Sequence, residues 1–182
     1  DSAEVLPDGF GRVYGNVSES MSIGIEGANI ELTGGAYIFA NTTTTDSEGD
    51  FNLMNVPAGT YTLNVVADGY YDYSEIDVGV TDGGATEVNV VLSPRGISGV
   101  VVDSGTTLVI EGATVSVILD SVIYDTTVTD VAGFFSFEYL PVGIYDLLVT
   151  FDDYDDYNAY GIVVETAGVI TDIGTIELEP TP

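Results

Sequence analysis

Apolar and polar residues alternate along most of this chain, in short runs broken by Gly, Pro, Asp and Asn. In the first half the alternation predicts strands over Val13–Val17, Ala28–Leu32, Tyr37–Ala40, Phe51–Val56, Tyr61–Val66, Glu75–Val78 and Glu87–Leu92. One parity of each run is β-branched or aromatic and the other carries Asn, Asp, Glu or Thr, as a sheet with one dry and one wet face requires. No segment shows an apolar period of 3.6, so almost no helix is expected. Asp46-Ser47-Glu48-Gly49 and Pro57-Ala58-Gly59 are set between runs as tight reversals. Gly59 and its later counterpart Gly143 are expected at positive φ, where Val would cost on the order of 1–3 kcal/mol.

The second half repeats the first at an offset of about 84 residues. Glu26-Gly27-Ala28 returns as Glu111-Gly112-Ala113, and Thr45-Asp46-x-x-Gly49-x-Phe51 as Thr129-Asp130-x-x-Gly133-x-Phe135. Pro57-Ala58-Gly59-x-Tyr61 returns as Pro141-Val142-Gly143-x-Tyr145, Asp68-x-Tyr70 as Asp152-x-Tyr154, and Leu92-Ser93-Pro94 as Leu178-Glu179-Pro180. The fold expected is all-β: two tandem seven-stranded antiparallel β-sandwiches of the immunoglobulin-like kind. The boundaries expected are an N-terminal extension over 1–9, repeat 1 over 10–94 and repeat 2 over 95–180.

Composition narrows the chemistry. The chain has no Cys and no His, and its only basic residues are Arg12 and Arg95. Disulfides, thiolate sites, Ser-His-Asp relays and Schiff-base lysines are therefore excluded, and the expectation is that the protein is not an enzyme. Thirty acidic residues give a formal charge of −28. Such a surface repels nucleic acid and anionic membranes and attracts cations, which stabilise it by screening. Regular alternation with 12 Tyr and 7 Phe argues against disorder. No apolar run approaches the roughly 20 residues that span a bilayer, so membrane insertion is not expected. Asp1 in place of an initiator Met predicts a chain that is either processed or a fragment of a longer one. Sequons at Asn16 and Asn41, with the acidity and missing Lys, point to a secreted protein at the cell surface.

The ordered series Gly-x-Val, Glu-Gly-Ala, Thr-Asp-x-x-Gly-x-Phe, Pro-x-Gly-x-Tyr-x-Leu and Asp-Gly-Tyr resembles the carboxypeptidase regulatory-like domain, in both copies. The resemblance implies a transthyretin-like (prealbumin-like) sandwich and modules used as spacers, adhesive elements or carbohydrate binders. The second copy departs from it at Asp153, where the first has Gly69, which predicts a differently shaped loop. A related group, the collagen-adhesin B-type repeats of pili, cross-links itself through a Lys-to-Asn bond. That bond is excluded in a chain without Lys.

Three groups of residues are candidates for a site. Asp152, Asp153, Asp155 and Asp156, matched more sparsely by Asp68 and Asp72, supply oxygens of the kind Ca²⁺ takes; the alternative is a solvated edge loop whose charges deter aggregation. No cofactor is required on this reading, and Ca²⁺ is an optional ligand completed by a neighbouring subunit. Tyr70, Tyr71, Tyr73, Tyr154, Tyr157 and Tyr160 could stack on sugars or anchor loops against the core. Asp46 to Asp50 reads as a structural turn, since its partner Asp130 to Phe134 keeps only Asp and Gly.

A protein made only of sandwiches acts by contact, and the partner expected first is another copy, added head to tail or by strand addition. Ser2-Ala3-Glu4-Val5-Leu6 is the expected donated strand, limited by Pro7. The function expected is that of a secreted, non-catalytic subunit of an extracellular filament or surface layer, with Ca²⁺ at interfaces. The alternative is a carbohydrate-binding or adhesion module that meets surface glycans.

Overall fold

The computed structural model describes residues 8–19, 23–35 and 39–182. Among these there is no helix. The chain divides into two compact units, Asp1–Ser93 and Pro94–Pro182. The proposed donor segment Ser2–Leu6, and the start of the run expected at Tyr37, lie outside the described residues.

Unit 1 holds β1 (Phe10–Ser18), β2 (Asn29–Gly34), β3 (Phe39–Thr44), β4 (Asp50–Pro57), β5 (Gly59–Val66), β6 (Tyr73–Val80), β7 (Ala85–Glu87) and β8 (Val90–Val91). One sheet runs β4-β1-β7 with β8 also on β1, and the other runs β3-β2-β5-β6. Alternation along β1 buries Val13 and Val17, and along β2 and β5 it buries Ile30, Leu32, Leu63 and Val65. These residues of the two sheets form one cluster with Phe51 and Leu53 of β4 and Val90 of β8, which is what makes the unit a sandwich.

Unit 2 repeats the plan with β9 (Gly96–Asp103), β10 (Thr114–Leu119), β11 (Val122–Val128), β12 (Phe134–Glu138), β13 (Gly143–Thr150), β14 (Tyr157–Val164) and β15 (Thr171–Leu178). Its sheets run β12-β9-β15 and β11-β10-β13-β14. The core joins Ile97, Val101, Phe135, Phe137 and Ile176 of one sheet to Val115, Val117, Tyr145, Leu147 and Val149 of the other.

The expected antiparallel pairing does not extend to the last strand of either unit. β7 and β8 pair β1 in parallel, and β15 pairs β9 in parallel. The physical reason is the path. The preceding strand belongs to the opposite sheet, so the chain crosses between layers and reaches the first strand running in the same direction. In unit 1 this last path is interrupted at Val88 and Asn89, though Val88 N–H still donates to Tyr14 O at 2.9 Å.

Two buried hydroxyls tie the loops together. Thr45 Oγ accepts from Ala28 N–H at 2.9 Å and donates to Ile25 O at 2.5 Å, and Thr129 does the same to Ala113 at 2.9 Å and Ile110 at 2.6 Å. The Thr backbone is paired as well, with Thr45 N–H on Ala28 O and Gly27 N–H on Thr45 O. The Glu-Gly-Ala and Thr-Asp-x-x-Gly motifs are thus the two sides of one junction. The Asp that follows caps its own turn. Asp46 Oδ1 accepts from Glu48 and Asp50 N–H, and Asp130 Oδ1 from Ala132 and Phe134 N–H, while Gly49 and Gly133 take φ of 82° and 69°.

The Pro-x-Gly-x-Tyr reversal works differently from the expectation. Gly59 and Gly143 are not at positive φ. The left-handed residues are Asn55 (55°) and Tyr139 (61°), two positions before each Pro. The glycines instead leave room for the ring that closes the corner: a Cβ on Gly59 would lie 3.4 Å from the Tyr61 ring, and one on Gly143 3.1 Å from Leu119 and 3.4 Å from Tyr145. Tyr61 and Tyr145 then donate to Pro57 O at 2.7 Å and Pro141 O at 2.9 Å, four residues back. Burial pushes the pKa of both phenols up, so they remain donors.

Two outcomes are expected in urea melts. Thr45→Val leaves a buried N–H and a buried carbonyl unpaired and destabilises unit 1 by about 2 kcal/mol or more, whereas Thr45→Ser keeps most of the stability. Asn55→Val costs about 1–3 kcal/mol because a β-branched residue is forced into the left-handed region, while Gly59→Ala changes stability by less than about 1 kcal/mol.

Candidate functional site

The loop that follows β5 in unit 1 and β13 in unit 2 holds most of the candidate residues. Its anchor is a phenol. Tyr154 O–H donates to Asp103 Oδ2 at 2.7 Å, and Tyr70 O–H to Glu19 Oε2 at 3.2 Å. The partners are 51 residues apart in both units, so the tether is duplicated with the fold. Each Tyr also closes its own turn, Tyr154 N–H on Phe151 O and Tyr70 N–H on Ala67 O, both at 3.2 Å.

Asp153 and Gly69 make the same turn, against the expectation of a different loop shape. Asp153 sits at φ 65° and Gly69 at 83°. Asp is among the few residues with a side chain that enter this region readily, which is why the turn survives the exchange. The loops differ instead at the preceding apolar position. Unit 1 has Ala67, beside an open concavity of about 660 Å³ lined by Gly24 to Gly27, Asn29, Asp68 and Tyr70. Unit 2 has Phe151 at that position, packed 5.7 Å from the Tyr154 ring and 3.9 Å from the position of a Cβ on Gly112.

The six candidate carboxylates do not converge. Asp68, Asp72, Asp152, Asp153, Asp155 and Asp156 are all exposed. Among the described residues no three acidic side chains are grouped to hold a metal ion. The backbone of the cluster is engaged in the fold: Asp155 N–H donates to Glu179 O and Thr181 N–H to Asp153 O, both at 2.8 Å.

The six tyrosines separate by burial. Tyr71 is a buried core residue, 6% exposed. Tyr70 and Tyr73 pack on the unit 1 core and Tyr154 and Tyr157 on that of unit 2. Tyr160 stands in solvent at 74% exposure. Of the sequons, Asn16 is held in β1 with Nδ2 donating to Glu48 O and Asp50 Oδ1, each at 2.8 Å, so the nitrogen that would carry a glycan already has two partners. Asn41 lies in β3, opposite Leu32.

Three partners in this region were not legible in the sequence as read: Glu19, Asp103 and Thr106. Asp103 Oδ1 accepts from Thr106 N–H at 2.6 Å and Thr106 Oγ at 2.7 Å, besides the Tyr154 bond on the other oxygen. The hydrogen bond from the Thr106 hydroxyl, then that from Tyr154, holds the Asp103 carboxyl below its ordinary range. Alignment of the two copies pairs Glu19 with Asp103, an acid in each, and that was the available signal. Of the two cations, Arg12 lies 4.7 Å over the Tyr14 ring, whereas Arg95 is buried with its Nε unpaired.

Comparison with known proteins agrees with this architecture. The family model of the carboxypeptidase regulatory-like domain matches residues 12–93 and again residues 96–179. No curated protein matches significantly. Among solved structures, the Bacillus anthracis TIE protein superposes with a TM-score of 0.43 at 18% identity, over 94% of this chain and 34% of that one. A streptococcal ancillary pilin gives 0.43 at 17% identity, over 96% and 63%. The shaft pilin SpaA of Lactobacillus rhamnosus GG gives 0.43 at 11%, over 97% and 99%. This chain therefore spans about a third of the first and under two thirds of the second, and superpositions this loose carry no functional argument.

The tether sets a pH window. Asp103 has its folded pKa lowered, so its contribution is complete above the ordinary carboxylate value near ~4 and lost as pH falls through the lower folded value. The Asp103 bond raises the Tyr154 pKa, so that contribution is complete below ~10 and lost as pH rises through the raised value. The melting-temperature gap between wild type and Tyr154→Phe is expected to be constant from about pH 5 to 9 and to close on both sides. A gap that is unchanged in an Asp103→Asn background rules out the carboxylate as partner.

Proposed function

Both halves of this chain belong to the carboxypeptidase regulatory-like domain family, and on that premise we propose that the protein is a non-catalytic structural subunit that associates with copies of itself outside the cell. What supports this reading is the edge strand β14. It is eight residues long and contains no charged side chain, in a chain whose formal charge is −28. Edge strands are ordinarily guarded by charge. The counterpart β6 has Glu75 and Asp77 and obeys that rule. An unguarded edge is a template for another strand.

The repeated motifs support a structural role too. The motif residues that carry reactive groups, Thr45, Asp46, Tyr61, Tyr70 and their later counterparts, are hydrogen-bonded into turns and tethers. Ca²⁺ enters this reading as a bridge between carboxylate loops of neighbouring copies, where each copy supplies part of the shell. Extracellular polymerisation in filaments or a surface layer is the form of association proposed. The glycan-binding alternative rests on Tyr160, the one candidate ring that is largely in solvent.

Negative-stain electron microscopy and light scattering of the purified chain, with Ca²⁺ and with a chelator, test the proposal. Ordered assemblies that form with Ca²⁺ or at high salt are the expected result. Monodisperse monomers under every cation condition eliminate it.

A further inference from the structure

The two copies differ at five matched positions of one surface, the outward face of the four-stranded sheet, although at a sixth unit 1 has the apolar residue, Val66 against Thr150. Pairing registers place Thr33, Thr44, Thr60, Asn64 and Gly79 on that face in unit 1. The same registers in unit 2 place Ile118, Val128, Ile144, Leu148 and Val163 at the matching positions. Each position has gained apolar bulk. Val128, Ile144 and Val163 are 60%, 65% and 46% exposed, and Tyr160 on the same face is 74% exposed. A shallow apolar trough of about 370 Å³, lined by Val142, Ile144 and Val163 among others, extends the face at one end. Core packing does not account for this pattern, because unit 1 folds with polar residues at the same places.

We infer that the outer face of the β11-β10-β13-β14 sheet is a self-association surface, on which a second copy of this chain docks face to face. This rests on the self-assembly reading and adds to the β14 edge a second surface on which copies meet. Charge selects the partner. Asp146 is the only charged residue that the registers place on this face, and its Oδ1 already accepts from Gly161 N–H at 3.1 Å. Two chains of charge −28 can meet here while bringing only one carboxylate each into the contact. A basic partner would be drawn to the acidic loops instead. At the centre of the face Ser116 is buried, with its hydroxyl 3.1 Å from that of Thr126, so this pair needs no water that contact would displace.

The size of the face is adequate for weak, specific association. Four strands about 4.8 Å apart and about eight residues long present a footprint of roughly 500 Å², and two such faces together bury on the order of 1,000 Å². That is the lower end for a specific interface. Because both partners remain strongly acidic, association should tighten as salt screens them, the reverse of a contact held by ion pairs.

Sedimentation velocity of the full chain, from about 0.05 to 1 M NaCl, tests the inference against a variant carrying Val128→Thr, Ile144→Thr and Leu148→Asn. These substitutions install the residues that unit 1 bears at the same positions, and thermal melts verify that the variant folds. Glu31→Gln, on the polar face of unit 1, is the control. The expected result is wild-type association that strengthens with salt, at least a tenfold rise in dissociation constant for the triple variant, and no change for Glu31→Gln. A folded triple variant that associates like wild type overturns the inference and leaves the self-assembly reading intact. A wild-type chain that stays monomeric at every salt concentration overturns both.

Discussion

Each unit depends on one buried hydroxyl at the place where its two sheets could most easily part. The chain approaches β2 through a Gly-Ala turn and β4 through an Asp-Gly turn, and among the described residues the β1–β2 connection carries the isolated bridge Ser18–Gly24. Thr45, 4% exposed, and Thr129, 2% exposed, bond across that gap with side chain and backbone together. Buried backbone groups there would otherwise have neither water nor a partner. The Asp that follows and the Gly three residues later then have their geometry imposed on them. A hydrocarbon core alone would not fix how the loops meet, because hydrophobic attraction has no direction.

Comparison of the two units separates what the fold requires from what it tolerates. The Thr junction, the Asp-capped turn, the Tyr corner and the phenol tether occur in both, with equivalent partners, although the tether acid is Glu19 in unit 1 and Asp103 in unit 2. Differences fall in the core, as Leu53 against Phe137 and Ile30 against Val115, in the loop after β5 and β13, as Ala67 against Phe151 and Gly69 against Asp153, and at five matched positions of the outer sheet face. Among the described residues the acids lie almost wholly at exposed or half-exposed positions. Asp103 is the buried exception, and hydrogen bonds from Thr106 and Tyr154 take the place of the water it has lost.

Strands, sandwich class and duplication were legible because period-2 alternation and repeated motifs are local signals. Thr45 was visible as a motif letter, yet its role was not, since the atoms it bonds lie 17 to 20 residues earlier. Glycine at 59 and 143 misled for a related reason. A turn Gly usually marks positive φ, but here the left-handed residue is upstream, and Gly serves the ring of a Tyr two positions on. The parallel last strand was equally hidden, because alternation reports which face a residue occupies and says nothing of strand direction. The acidic cluster at Asp152 to Asp156 looked like a ligand set in one dimension. In three dimensions these carboxylates are exposed, and among the described residues no three acidic side chains are grouped to hold a metal ion.

The parallel first and last strands have a mechanical consequence. In each unit the chain enters β1 or β9 at one pole and leaves β8 or β15 at the opposite pole, so a pull on the two ends runs along the strands. Such a load is shared as shear by the whole hydrogen-bonded ladder, from Thr171 opposite Ile97 to Leu178 opposite Asp103 in unit 2. A hairpin loaded at its open end would instead unzip one bond at a time. A domain wired in this way resists stretching, whatever it is stretched between.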